Sequence, residues 1–153
     1  RNADGFRRVG ESLNKAGEIS KASKVKIAYH NHDFEFTNVD GQTGLDMMLK
    51  ATDPSLVSFE LDIYWASKAG FDPIKLFEQY PQRFAMWHVK DMDNTDKKFF
   101  TEVGNGVIDF PAIFKKAKES GMKYFFVEQD QCPGSPFDSI QKSITYLQKN
   151  IVK

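Results

Sequence analysis

Val57-Ser58-Phe59-Glu60-Leu61-Asp62-Ile63 is the stretch that decides the fold. Phe59, Leu61 and Ile63 fall on one side of an extended chain, and Ser58, Glu60 and Asp62 on the other. Three further segments have the same design: Val25–His30, Phe84–Lys90 and Lys123–Glu128. Val25, Ile27 and Tyr29 share a face, as do Ala85, Trp87 and Val89, and Phe125 and Val127. The alternate faces carry Ala28 and His30, Met86 and His88, and Tyr124, Phe126 and Glu128. The second set turns polar at the C-terminal end of every strand.

Helical patterns separate these strands. Residues Asp4–Ala22 have apolar side chains near a three-to-four-residue period, and Gly44–Ala51 places Leu45, Met48 and Leu49 on one side. Asp72-Pro73 opens a helix that ends near Tyr80-Pro81. After a longer loop to Gly106, Asp109-Phe110-Pro111 opens another, running to Ser120-Gly121. A last helix spans Pro136–Asn150, with Ile140, Ile144, Leu147 and Ile151 as its apolar stripe. Strands joined by helical crossovers pair in parallel, with right-handed connections.

Two architectures fit: an open doubly wound sheet and a run from a (β/α)8 barrel. An open parallel sheet is apolar on both faces. A barrel points one face inward and places its site at the C-terminal ends of the strands. The polar ends of the alternate face favour the barrel. Its last inward residues are His30, Asp62, His88 and Glu128. Imidazole and carboxylate together suit Mn, Zn, Co or Fe better than Mg. Each residue also has an ordinary alternative: Asp62 as the cap of the next turn, Glu128 as partner of Lys90. Glu60, one layer below Asp62, reads as a buried hydrogen-bonding group paired with Lys26 or a His. His32 and Glu35 are secondary candidates.

Composition bounds the rest. The 153 residues are 41% hydrophobic and 14% aromatic, which fits one domain with a packed interior. Lys plus Arg and Asp plus Glu both number 21, and this neutral balance argues against nucleic acid as a partner. The single cysteine, Cys132, forms no intrachain disulfide and belongs to no zinc-ligand spacing. No apolar run is long enough for a membrane span and no signal peptide is seen, so a cytoplasmic location is the default expectation. The sequence opens at Arg1 inside a helical pattern, so a partial or processed chain is expected, with an upstream targeting signal left open.

Four stretches resemble one family. Ala28-Tyr29-His30-Asn31-His32-Asp33-Phe34-Glu35-Phe36, Leu61-Asp62-Ile63-Tyr64-Trp65, Trp87-His88-Val89-Lys90-Asp91-Met92 and Val127-Glu128-Gln129-Asp130 are similar to the xylose isomerase-like TIM-barrel superfamily. That group includes sugar phosphate isomerases/epimerases, tagatose epimerases, inosose dehydratases and endonuclease IV. Glu102-Val103-Gly104-Asn105-Gly106-Val107-Ile108-Asp109-Phe110 resembles the family's loop after its seventh strand.

The resemblance implies that residues 1–153 are a single domain, the C-terminal half of the barrel with its last four βα units. It implies a divalent metal held by Asp62, His88 and Glu128, with His30 where the epimerases place a glutamate. It implies a metal-dependent sugar or sugar phosphate isomerase/epimerase that transfers a proton beside a carbonyl through an enediolate. Glu128 and His30 are then the catalytic candidates. His32, Trp65 and Lys90 are the substrate-contact candidates; Trp65 stands where several epimerases carry a histidine. A sugar dehydratase/lyase and an inactive carbohydrate-binding fragment are the alternatives. A four-strand unit leaves two edges and an inner face open. Either ~100 or more further residues complete a barrel of about 250, or two half barrels pair as a homodimer.

Overall fold

A computed structural model of the chain describes residues 2–152. Helix α1 (Ala3–Lys21) starts at Asn2, whose side chain accepts the Gly5 amide at 2.9 Å. It packs along α2 (Gly44–Ala51), and Asn14 binds both the Ala51 carbonyl and the Asp53 amide. Thr43 and Asp46 form a reciprocal capping box at the start of α2.

The four expected strands are β1 (Ile27–His30), β2 (Val57–Asp62), β3 (Phe84–Val89) and β4 (Tyr124–Val127). They lie in sequence order, each parallel to the next, in one open sheet. The register aligns His30 with Glu60, Asp62 with His88, and His88 with Phe126. Chemistry-bearing residues are thus gathered at the C-terminal edge of the sheet.

Helices α3 (Ile63–Lys68), α4 (Pro73–Gln79), α5 (Phe110–Lys115), α6 (Ala117–Ser120) and α7 (Pro136–Asn150) complete the chain. The core lies between the sheet and the helices. Phe59, Leu61, Trp87 and Val89 are buried there, and Phe77 of α4 stacks on Trp87 at 5.0 Å and 4°. The opposite face is open: Tyr124 is 67% exposed and Phe126 46%.

Four local expectations change. The second strand ends at Asp62, not Ile63, because the Asp62 carboxylate turns back to cap α3 through the Trp65 amide. The apolar Ile63-Tyr64-Trp65-Ala66 run hid this short helix, since it continues the strand without a polar break. In β3 the register steps from Phe84 to Met86 opposite the adjacent Phe59 and Glu60, so Ala85 is a bulge residue. Phe84 therefore takes the helix-facing place assigned to Ala85, packing against Phe59 and Phe77. The helix expected through Ser120 breaks at Lys116 into α5 and α6. The long loop after β3 is also not wholly irregular; Asp91–Met92 and Phe100–Thr101 pair as a small antiparallel ribbon.

Candidate metal centre

Asp62 is the hub. Its side chain is fully buried at the end of β2, and its two oxygens do different work. Oδ1 accepts the Trp65 amide at 3.0 Å. Oδ2 lies 3.2 Å from His30 Nε2, 3.6 Å from His88 Nδ1 and 3.0 Å from Lys90 Nζ. The cap reading of Asp62 is seen at Oδ1, and Oδ2 is left facing the two imidazoles and the ammonium. The Asp62 amide donates to Asn31 Oδ1 at 3.0 Å, which ties the loop after β1 to the end of β2.

His30 and His88 stand side by side, ring centroids 4.1 Å apart. His30, Asp62 and His88 offer ligand atoms that all lie within 4.8 Å of one another. Glu128 stands outside this trio. Its Oε2 is 2.8 Å from His88 Nδ1 and 3.2 Å from Lys90 Nζ. Lys90 is almost fully buried and also bonds Asp130 at 2.8 Å. Of the two readings of Lys90, its three carboxylate contacts display the ion-pair one.

Electrostatics follow from these contacts. Burial alone would push the Asp62 carboxyl up. The hydrogen bond with His30, the close approach of His88, the Lys90 ammonium and the Trp65 amide outweigh it and hold the group well below the usual carboxylate range. Burial likewise works against charge on His88, yet contact with Asp62 and the charges of Glu128 and Glu60 raise its pKa above the ordinary imidazole value. Lys90 is raised in the same way by Asp62 and Asp130, against its burial. Asp62, Glu128 and Asp130 face the Lys90 ammonium and Glu60 faces His88, leaving three formal negative charges in excess across the cluster when the imidazoles are neutral.

The donor set fits a divalent cation on two observations. Two imidazole nitrogens and a carboxylate oxygen converge. His88 Nδ1 is also buried without a hydrogen bond of acceptable geometry, although Asp62 and Glu128 oxygens lie close to it.

The rim is aromatic. His32 lies 4.9 Å from His30 and 5.8 Å from Trp65, ring to ring, and Phe100 meets Trp65 edge-on at 5.8 Å. Glu35 is fully buried and serves the loop, accepting the Tyr29 hydroxyl at 2.6 Å and the His32 amide at 2.8 Å. Asp91 is buried as well. Its oxygens accept the amides of Met92, Gly104, Gly106 and Ile108, which folds the 104–108 loop over it. Gly106 is required there, since an added Cβ would lie 2.3 Å from an Asp91 oxygen. The sequence reading did not single out Asn31, Asp130 or Phe100. Only Asn31 left a signal, a polar residue between two histidines.

Residues 1–150 match the family model described as xylose isomerase-like TIM barrel. The chain belongs to that family. Among solved structures, a sugar phosphate isomerase/epimerase from Parabacteroides distasonis superposes with a TM-score of 0.85 at 37% identity, covering 99% of this chain and 55% of that one. A second from the same organism gives 0.84 at 31%, covering 99% and 56%. An inosose dehydratase from Lacticaseibacillus casei is 29% identical over 163 residues, covering 94% of this chain and 54% of that protein. The chain thus spans about half the length of these xylose isomerase-like relatives. Its relatives are sugar-processing enzymes, both isomerase/epimerase and dehydratase. Among the described residues, no helix is long and apolar enough to cross a membrane.

Proposed function

We propose that this chain carries the metal-binding half of a sugar isomerase/epimerase that moves a proton beside a carbonyl through an enediolate. The observation that carries this reading is the convergence of His30, Asp62 and His88 at the C-terminal edge of a parallel sheet, where such barrels place their sites. His30, Asp62 and His88 hold the cation, of the Mn, Zn, Co or Fe type, with Glu128 as a further donor at its border. When bound, a divalent cation supplies Lewis-acid polarisation of a carbonyl and its neighbouring hydroxyl.

The chain's own residues do the remaining work. Glu128 takes the proton from the carbon beside the carbonyl; its carboxylate is partly open to solvent and fixed by His88 and Lys90. Water on the opposite face of the substrate returns a proton while Glu128 gives up its own to solvent, and His30, the second catalytic candidate, acts as a ligand that orients the carbonyl beside the cation. Lys90 holds Asp62 and Glu128 in place and balances part of their charge. His32 and Trp65 form an aromatic wall against the sugar. The four strands are read as the last four βα units of a barrel. Further residues or a second copy close the open face, a view supported by the exposed Tyr124 and Phe126 and by relatives nearly twice as long. The curated relatives named inosose dehydratase favour a second reading, loss of a hydroxyl from a cyclic ketose by the same first proton transfer.

Deuterium exchange from D2O into a panel of ketoses and keto-cyclitols tests both readings. Metal-dependent exchange with a returned stereoisomer supports the epimerase, and exchange with loss of water supports the dehydratase. No exchange across the panel refutes both. The metal itself is tested by elemental analysis of purified protein against a His88→Ala, Glu128→Ala double variant; equal metal content in the two refutes it.

A further inference from the structure

One acidic side chain on the inward face has no part in the proton transfer. Glu60 sits on β2 two residues before Asp62, aligned in register with His30 and Met86 on either side. Its Oε1 lies 3.2 Å from His88 Nε2, and its side chain is largely buried. The other ring nitrogen, Nδ1, faces Asp62 and Glu128 and has no hydrogen bond of its own. His88 is therefore gripped from both ends.

A neutral imidazole carries a single N–H, and an ionised carboxylate only accepts. Whichever carboxylate takes that N–H fixes where the lone pair points. A metal needs the lone pair, and ligand histidines commonly give their other N–H to a carboxylate. We propose that Glu60 is the positioning residue of the centre. By accepting the His88 Nε2–H it holds the ring in the tautomer whose Nδ1 lone pair faces the space shared with His30 and Asp62. This rests on the metal reading above, but its geometric content concerns the chain alone. Sequence pattern read Glu60 as a structural hydrogen-bonding group; the structure sets its carboxylate 3.2 Å from His88 Nε2, and that neighbour is a candidate ligand.

The test separates the two claims. In metal-free intact protein at alkaline pH, where the ring is neutral, long-range 15N–1H correlation reports the His88 tautomer. Wild type is expected to carry the proton on Nε2. Glu60→Ala should shift it towards Nδ1, while Glu60→Gln should keep it on Nε2, because the amide oxygen still accepts. Zinc affinity by chelator competition should fall about ten- to a hundredfold in Glu60→Ala and stay close to wild type in Glu60→Gln. An unchanged tautomer in Glu60→Ala overturns the proposal. So does a Gln variant as impaired as the Ala one, which would make the charge rather than the accepted N–H the cause. If wild type binds no zinc, the metal reading fails while the tautomer comparison still decides the role of Glu60.

Discussion

Replacing Lys90 by Met tests whether the ammonium and a metal serve the same carboxylates. Met keeps most of the stem and its packing while removing the charge. Lys90 Nζ lies 3.0 Å from Asp62 Oδ2, and Asp62 is fully buried. With an effective dielectric constant of about 20, that one attraction amounts to roughly 5 kcal/mol before desolvation is counted. Removing one partner of a buried pair costs about 3–5 kcal/mol, because the other charge stays behind. Glu128 and Asp130 are partly exposed, so losing their contacts adds little. Lys90→Met should therefore lose about 3 kcal/mol of stability in metal-free buffer, measured by urea unfolding. The excess negative charge then grows by one, so zinc affinity should rise about tenfold or more. Added zinc at ~100 times its Kd should restore about 2.7 kcal/mol. A variant as stable as wild type without metal, or one with unaltered zinc affinity, would refute the reasoning.

Other outcomes follow from the same contacts. Glu102 accepts from Ser139, Lys142 and Asn105, and these bonds with its own backbone amide outweigh burial and hold its pKa down at about 2. A depressed folded pKa means stability that is present above the ordinary value of 4.5 and lost as pH falls towards 2. Lys142 is largely exposed, so the loss should be about 2 kcal/mol; Glu102→Gln should flatten that acid limb in pH-dependent urea melts. Asp91→Asn sets an amide donor against backbone donors that now share the carboxylate. It should cost ~3 kcal/mol and speed hydrogen exchange at Gly104, Gly106 and Ile108. Trp87→Ala empties the stack on Phe77 and should cost about 3–5 kcal/mol by denaturant unfolding.

Periodicity in the sequence was enough to determine the parallel α/β order, because strand period and helix period are local properties of the chain. Parity along the strands was enough to put His30, Asp62, His88 and Glu128 at one edge, since alternate side chains of a strand must face one side. Its limit was the apolar run after Asp62, where one carboxylate oxygen ends the strand and starts a helix; capping depends on a backbone turn that composition does not report. The Ala85 bulge escaped for a similar reason, as strand register is settled between chains of packed side chains, not within one strand.

Only the tertiary structure decided how the four edge residues divide. Distances across strands put His30, Asp62 and His88 in one cluster and set Glu128 beside it, against His88 and Lys90. They also gave Lys90 to three carboxylates and Glu60 to His88. Residue type states what a side chain can bind. Which partner it binds follows from register, twist and burial, and those arise only when separate strands meet.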